Sequence, residues 1–155
     1  MSDGDETAGA GAGHILVGID GSEGSRAACE FALDEAVLRG LTARVVLVYD
    51  VPASWVLSLG ATVDMAGLRE SAREKAAEQI KAVTEARTAR GTANPPLEVE
   101  VHRGPPGAVL ERLSRGAEIL VVGHRGRGET ASLMIGSVGL NSVIHAHCTV
   151  VVVRA

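Results

Sequence analysis

Two glycine-containing segments near the C-terminus carry the residue types best suited to chemistry in this sequence. The first reads GHRGRG over residues 123–128 and follows a strand-like apolar run. Nine residues then separate Gly126 from Gly136-Ser137, which opens a predicted helix. Glycines let backbone N–H groups approach an anion without a Cβ in the way, and a helix N-terminus adds N–H donors and the positive end of its dipole. The two segments together predict a phosphate-binding site.

Polar side chains within these segments fit the same chemistry. The hydroxyl of Ser137 can donate to a phosphate oxygen, and so can the guanidinium groups of Arg125 and Arg127. One of the two arginines can instead face solvent, and glycine-rich loops often do no more than make tight turns. The order of strand, glycine loop and Gly-Ser helix start favours phosphate binding over a simple turn.

Two better-known kinds of phosphate site are excluded. A P-loop needs Gly-Lys-Ser or Gly-Lys-Thr, whereas the only lysines, Lys75 and Lys81, lie on a predicted helix. The dinucleotide fingerprint needs G-x-G-x-x-G after the first strand, whereas residues 18–24 read GIDGSEG. The carboxylate of Asp20 in that turn suits accepting hydrogen bonds from a ribose or holding a phosphate-bound cation, with a turn or helix-capping role as the alternative.

Strands and helices must bring these residues together, and the sequence alternates between the two patterns. Continuous runs rich in Val and Ile are typical of strands buried on both faces of a parallel sheet. The run LEVEV alternates instead, which indicates a strand with one more exposed face. The predicted strands cover residues 14–19, 43–49, 97–102, 118–123 and 149–154.

Four helices are predicted between these strands. The first begins at a cap formed by Ser22 or Ser25, runs to about Arg39 and is closed by Gly40. The other three are a long helix with a stripe of Met65, Leu68, Ala72, Ile80 and Val83 that ends near Arg90–Gly91, a short one after Pro105-Pro106 with Val109, Leu110 and Leu113 inward, and a last one patterned on Leu140, Val143, Ile144 and His147. The charged positions of the long helix predict a solvated face.

The alternation predicts an open, mostly parallel, doubly wound α/β sheet of five strands with helices on both faces. Ligands bind such sheets beyond the carboxyl ends of the strands, where the chain order reverses. Residues 1–13 are expected to form a disordered tail rich in Gly, Ala and acidic residues, followed by one domain over residues 14–155. Residues 51–64 fit neither pattern, and the sequence does not decide between a lid and a crossover loop.

The composition indicates which partners and which cellular location to expect. A formal net charge of −4 and a total of one Trp, one Tyr and one Phe argue against nucleic-acid binding, which needs a cationic surface and stacking rings. No apolar run approaches the roughly 20 residues of a membrane-spanning helix, so no membrane association is expected. Cys29 and Cys148 are far apart and give no disulfide framework, which suits a reducing compartment and predicts a cytoplasmic protein.

The glycine segments resemble the ATP-binding signature of the universal stress protein family. Gly123 and Gly126, nine intervening residues and Gly136-Ser137 match that signature, and the similarity extends from HILVGIDGS at residues 14–22 to VIHAHCTVVVVR at residues 143–154. The resemblance implies a Rossmann-like five-stranded sheet, membership in the ATP-binding branch, ATP with Mg²⁺ or Mn²⁺ as ligands, and a homodimer.

Carried over by position, the resemblance also implies a role for each site residue. Asp20 would face the ribose, Gly18 would let the ligand pack closely, and Asp50 would meet adenine through its backbone. The nucleoside would be flanked by Val122 and Gly123, and the phosphates would be bound by Gly126, Gly136, Ser137 and Val138.

Three classes of function stay open. An ATP-binding stress-response regulator whose nucleotide occupancy acts as a switch on a still unknown protein partner is favoured. A slow ATPase or autokinase is the first alternative, and an interaction domain without nucleotide is the second. A Ser-His-Asp hydrolase is disfavoured because no Gly-x-Ser-x-Gly motif occurs, and His145 and His147 fall on different helix faces and so are poorly placed to share a metal ion.

The apolar strand 149–154 predicts how a homodimer would form. If this strand lies at the sheet edge, its unpaired backbone and valines invite aggregation. Pairing with its own copy across a two-fold axis would cover them. The sequence therefore predicts a dimer through residues 149–154.

Overall fold

The computed structural model describes residues 13–51, 54, 57, 63–125 and 135–155. Strands and helices alternate as predicted. The strands are β1 (His14–Ile19), β2 (Thr42–Tyr49), β3 (Leu97–Arg103), β4 (Ala117–Gly123) and β5 (Thr149–Val153), and the helices are α1 (Glu23–Arg39), α2 (Met65–Ala89), α3 (Pro106–Leu113) and α4 (Ser137–His145). Apart from Gly13, the predicted tail lies outside the described residues, and so does most of the segment 51–64.

The strands form one sheet in the order β3-β2-β1-β4-β5, and all four neighbouring pairs are parallel. Val17 in the central strand pairs with Val45 on one side and with Val121 on the other. From β1 the chain adds β2 and β3 outward on one side and then crosses to add β4 and β5 on the other. This confirms the doubly wound α/β fold and places the reversal of chain order between β1 and β4.

Local hydrogen bonds explain where the helices begin and end. Ser22 caps α1, because its Oγ accepts the N–H of Ser25 at 3.1 Å. Gly40 closes α1 in the left-handed region with φ 66°, where a glycine is favoured. Asp64 caps α2 by accepting the N–H of Gly67 at 3.0 Å. Pro106 occupies the first turn of α3, where its missing N–H costs nothing.

The hydrophobic core lies on both faces of the sheet because alternate strand residues point in opposite directions. On β1, Ile15 and Val17 pack under α1 and α2, while Leu16 packs under α3. The strand predicted to have one more exposed face, β3, is the outermost strand on its side of the sheet, and its Val99 is 42% exposed. Among the described residues, no helix is both long enough and apolar enough to cross a membrane.

The apolar pattern of the last helix indicates the helix correctly but not its buried face. Leu140, Val143 and Ile144 are 48%, 55% and 62% exposed. The helix instead buries the small residues Gly139 and Ser142. The prediction that His147 continues the apolar pattern of this helix is wrong, because α4 ends at His145 and His147 is exposed.

The long helix α2 departs from its predicted solvated face at one arginine. Ala72, Ile80 and Val83 are buried as predicted, whereas Leu68 is 39% exposed. Arg87 is only 1% exposed and bridges to α1 through Asp34 at 2.8 Å and Glu30 at 3.2 Å. Its guanidinium also donates to the carbonyl of Ala93 at 2.8 Å. Ion pairs with residues on α1 therefore let this arginine be buried between the two helices.

Candidate functional site

A cavity of about 210 Å³ opens at the carboxyl ends of β1 and β4, beside the start of α4. This is the point of chain reversal, where ligands bind in doubly wound sheets. The cavity is lined by Gly18, Ile19, Asp20, Ser25, Val46, Val48, Pro106, Leu110, Val122, Gly123, Arg125, Gly136, Ser137, Val138 and Gly139.

Most of the predicted site residues meet at this cavity. Those lining it are Gly18, Asp20, Val122, Gly123, Arg125, Gly136, Ser137 and Val138. Asp50 does not line it but borders a neighbouring cavity of about 580 Å³, which shares Asp20 and Val48 with the first. The carboxylate of Asp50 is exposed and accepts the N–H of Val51 at 2.8 Å. Gly126 and Arg127 lie outside the described residues.

Asp20 organises the turn that leads from β1 into α1. Its Oδ1 accepts the backbone N–H of Ser22 at 2.9 Å and the hydroxyl of Ser22 at 2.6 Å. Its own N–H donates to the hydroxyl of Ser25 at 3.3 Å. The turn role weighed from the sequence is therefore observed, and the same bonds hold the carboxylate group at the cavity wall.

The start of α4 lines the same cavity. Gly136 is the N-cap and supplies no side-chain cap, and its N–H donates to the carbonyl of His124 at 2.9 Å. Ser137 and Val138 follow in the first turn, whose N–H groups have no acceptor within the helix. An anion at this end of the cavity would meet those donors and the positive end of the helix dipole.

Arg125 places a cationic donor beside the same cavity. Its Nε is buried and has no hydrogen-bond partner among the residues that the structure describes. Its backbone is fixed by close packing, because a Cβ added to Gly24 would lie 2.7 Å from the carbonyl oxygen of Arg125. Buried donors are nearly always paired, so an anionic ligand in the cavity would supply the acceptor that this guanidinium lacks.

An apolar wall that the sequence analysis did not identify completes the site. Val46 and Val48 from β2 and Leu110 from α3 line the cavity together with the polar groups. Gly18 lies against this wall, since a Cβ there would be 2.9 Å from Cδ1 of Leu110. Side chains alternate between the two faces of a strand, so the sequence of β2 indicates that Val46 and Val48 share one face. Which helix covers that face depends on the tertiary fold.

Protein ligands for a metal ion are sparse around the cavity. Within the described ranges, no group of three or more His, Cys, Asp or Glu residues is placed to hold an ion. Asp20 is the carboxylate among the cavity-lining residues. Mg²⁺ commonly binds through one or two carboxylates together with substrate phosphates, so these residues fit a cation that arrives with a nucleotide better than a resident metal.

Comparison with known proteins identifies the family. The universal stress protein family matches the sequence over residues 11–154. This chain belongs to the universal stress protein family.

The curated relatives of this universal stress protein include longer mycobacterial proteins. Universal stress protein Rv2624c of Mycobacterium tuberculosis is 32% identical over 145 residues, which cover 91% of this chain and 48% of the relative. Universal stress protein Rv2623 of the same organism is 33% identical over 140 residues, which cover 90% of this chain and 44% of the relative. The chain therefore spans about half the length of the curated relatives it matches.

Solved universal stress proteins share the fold over nearly their whole length. UspA from Lactobacillus plantarum superposes with a TM-score of 0.68 at 25% identity, covering 92% of this chain and 97% of that one. A universal stress protein in complex with cAMP gives 0.65 at 21% identity, with coverages of 91% and 96%. A family member from Arabidopsis thaliana with AMP bound gives 0.56 at 19% identity, with 92% of each chain covered. These likenesses establish the Rossmann-like sheet.

Proposed function

We propose that this universal stress protein binds ATP in the cavity at the carboxyl edge of its sheet and that nucleotide occupancy acts as a regulatory switch in a stress response. The observation that carries the proposal is the order of groups along one cavity. Because β1 stands between β2 and β4 in the sheet, Asp20 at the end of β1 lies between Val48 of the apolar wall on β2 and Arg125 after β4. A nucleotide presents its base, ribose and phosphates in the same order.

Each part of ATP has a matching surface in this arrangement. Adenine would pack against Val46, Val48 and Leu110, with Gly18 leaving room for the ring. The ribose hydroxyls would donate to Asp20. The phosphates would meet the amides of Ser137 and Val138, the hydroxyl of Ser137 and the guanidinium of Arg125. Gly126 and Arg127 enter the proposal through the family resemblance, whereas Asp50 borders only the neighbouring cavity.

Relatives of the same fold support an adenine nucleotide as the ligand. Two of the solved neighbours contain AMP or cAMP. The unpaired Nε of Arg125 among the described residues adds a reason for phosphates at this place in this chain. Mg²⁺ or Mn²⁺ would be held mainly by the phosphate oxygens, and when bound it would neutralise part of their charge.

A switch fits the site better than a fast enzyme. Rapid phosphoryl transfer needs a positioned base or water-orienting group and firm metal ligands. The carboxylate of Asp20 is tied to Ser22 at the nucleoside end. Backbone amides and Arg125 bind phosphates in the ground state, which lowers the dissociation constant without raising the rate. At most, slow ATP hydrolysis or autophosphorylation is expected, and the cavity itself disfavours an interaction domain without nucleotide.

We further propose a homodimer through β5. Val151 and Val153 are half-buried on one face of this outermost strand, and Val150 and Val152 are half-buried on the other. The outer edge of β5 has no neighbouring strand in the described sheet, so a second copy would pair its backbone. The two cysteines, of which Cys29 is buried, are free, and this supports the proposed cytoplasmic location.

Native mass spectrometry of freshly purified protein tests the main proposal. A co-purified mass equal to ATP, or its appearance after incubation with Mg-ATP, is expected. No added mass with ATP, ADP or AMP would contradict nucleotide binding. Multiple-turnover hydrolysis faster than about 1 s⁻¹, the low end of ordinary enzyme rates, would contradict the switch and favour the enzyme. A Gly136→Val preparation serves as the control, because a contaminating ATPase would survive that substitution.

A further inference from the structure

A second cavity adjoins the nucleotide cavity at Arg125. It has a volume of about 520 Å³ and lies between the start of α1, the end of β4 and the residues that follow β5. Arg125 lines both cavities. The residues around this cationic cavity are Ser22, Glu23, Gly24, His124, Arg125, Arg154 and Ala155.

Among the described residues, the side chains around the cationic cavity carry more positive than negative charge. Within the described ranges, neither Arg125 nor Arg154 forms an ion pair, whereas arginines elsewhere in the fold do, such as Arg87 with Asp34 at 2.8 Å. Among the side chains that line the cavity, the carboxylate of Glu23 stands against two guanidinium groups. The cavity therefore favours an anion over a cation.

Backbone hydrogen bonds hold the two arginines on adjacent strand ends. Gly123 pairs with Val153 in the parallel ladder, so the residues after them leave the sheet at the same level. The N–H of His124 donates to the carbonyl of Val153 at 2.7 Å, and the carbonyl of His124 accepts from Gly136. Arg125 and Arg154 therefore flank a fixed segment of backbone and line the same cavity.

The start of α1 adds neutral donors to the same cavity. The first N–H groups of a helix have no intrahelical acceptor, and in α1 these include the amides of Glu23 and Gly24. Gly24 has no side chain to cover them. This contribution supports the site but does not create it, because the arginines supply the net charge.

We propose that the cationic cavity binds a phosphate group separate from those held at the start of α4. Two sources share this chemistry: the outer end of the phosphate chain of a bound nucleotide, reaching past Arg125, and a separate small phosphate-bearing molecule. The first source rests on the proposed function, whereas the second does not require nucleotide binding.

Calorimetry at low ionic strength with pyrophosphate and with ATP tests the proposal. Arg154→Gln should lower the affinity for one of the two ligands by about tenfold or more, the loss expected for a charge-assisted hydrogen bond. Glu23→Gln removes the opposing carboxylate and should tighten the same ligand by about twofold or more. Arg115→Gln removes an exposed arginine just before the amino-terminal end of β4, far from the carboxyl end where the cavity lies. It should change the affinity for neither ligand.

The two sources give different results. Weakened ATP binding with unchanged AMP binding in Arg154→Gln identifies the phosphate chain of the nucleotide. Weakened pyrophosphate binding in the presence of saturating AMP identifies a separate molecule. Unchanged affinity of Arg154→Gln for both pyrophosphate and ATP, in protein with wild-type melting temperature, would overturn the proposal. If neither ATP nor AMP binds, the proposed nucleotide function fails while the pyrophosphate result still decides this site.

Discussion

Gly24 and Gly123 pack against each other backbone to backbone. A Cβ built on Gly123 would lie 2.6 Å from the carbonyl carbon of Gly24 and 2.8 Å from its oxygen. No side chain other than hydrogen fits there, because the neighbouring atoms belong to a helix backbone rather than to a flexible side chain. The contact seats the first turn of α1 on the end of β4 and so brings the Asp20 turn next to Arg125.

Substitutions at this contact should destabilise the fold. Gly123→Ala and Gly24→Ala are each expected to lower the free energy of unfolding by about 1–3 kcal/mol, the usual cost of overpacking. Urea denaturation measures the change. Gly18→Ala is the control, since the nearest atoms to its Cβ would belong to the side chain of Leu110, with Cδ1 at 2.9 Å, and a rotamer change can relieve the overlap. Wild-type stability in both test variants would show that the two backbones are not in contact.

Nucleotide affinity should depend on the start of α4. Gly136→Val is expected to abolish measurable ATP binding by placing a branched side chain beside the phosphate donors, and Gly126→Val is expected to do the same. Ser137→Ala should weaken binding by about 0.5–1.5 kcal/mol, the contribution of an ordinary hydrogen bond. Calorimetry gives both values. Ser142→Ala alters a buried serine of the same helix that does not line the cavity and should leave the affinity unchanged. Unaltered affinity in both glycine variants would refute the site.

The buried Arg87 should contribute more to stability than its neighbour Arg90. Arg87→Met removes the ion pairs with Glu30 and Asp34 and should lower the free energy of unfolding by about 2–4 kcal/mol. Arg90 contacts the same Glu30 at 3.0 Å but is 55% exposed, so Arg90→Met should cost less than about 1 kcal/mol. Equal losses in the two variants, measured by chemical denaturation, would contradict the role of burial.

Glu100 should make the protein sensitive to acid. A side-chain hydrogen bond from His102, opposed by burial and reinforced by Arg44, holds the pKa of Glu100 at about 2, below its usual 4.5. The folded state therefore favours the ionised form, and this stabilisation is fully present above about pH 4.5 and is lost as the pH falls toward 2. Because the carboxylate is partly exposed, we expect about 1–2 kcal/mol.

The pH dependence of Glu100→Gln measures this contribution. The difference in free energy of unfolding between wild type and Glu100→Gln should shrink between pH 4.5 and pH 2. Glu98→Gln is the matched control, because Glu98 is 61% exposed and lies 3.8 Å from Arg44. A difference that stays constant over this range would show that the pKa of Glu100 is not lowered.

Charged residues on β5 should prevent the proposed dimer. Val151→Lys or Val152→Lys places an ammonium group on the edge strand and is expected to shift the protein to monomer or aggregate. Multi-angle light scattering at micromolar concentration measures the mass. Val99→Lys, on the opposite edge strand β3, should leave the dimer intact. A wild-type monomer at this concentration would refute the dimer.

Local signals in the sequence determine the strands, the ends of α1 and the start of α4. The apolar runs predict each strand within one residue at each end, because a strand buried on both faces needs a continuous apolar segment. Ser22 and Gly40 mark the ends of α1 because a cap and a left-handed glycine act on hydrogen bonds within one turn. The Gly136-Ser137 helix start lies where the spacing predicts it.

Only the tertiary structure decided which faces became buried. Arg87 stands at a charged position of α2 but is buried, because Glu30 and Asp34 on another helix meet it. The apolar residues of α4 stay exposed, because its small residues allow the close approach to neighbouring elements. Val46 joins the cavity wall because α3 covers its face of β2. Periodicity determines which residues share a face, whereas burial depends on which distant element packs on that face.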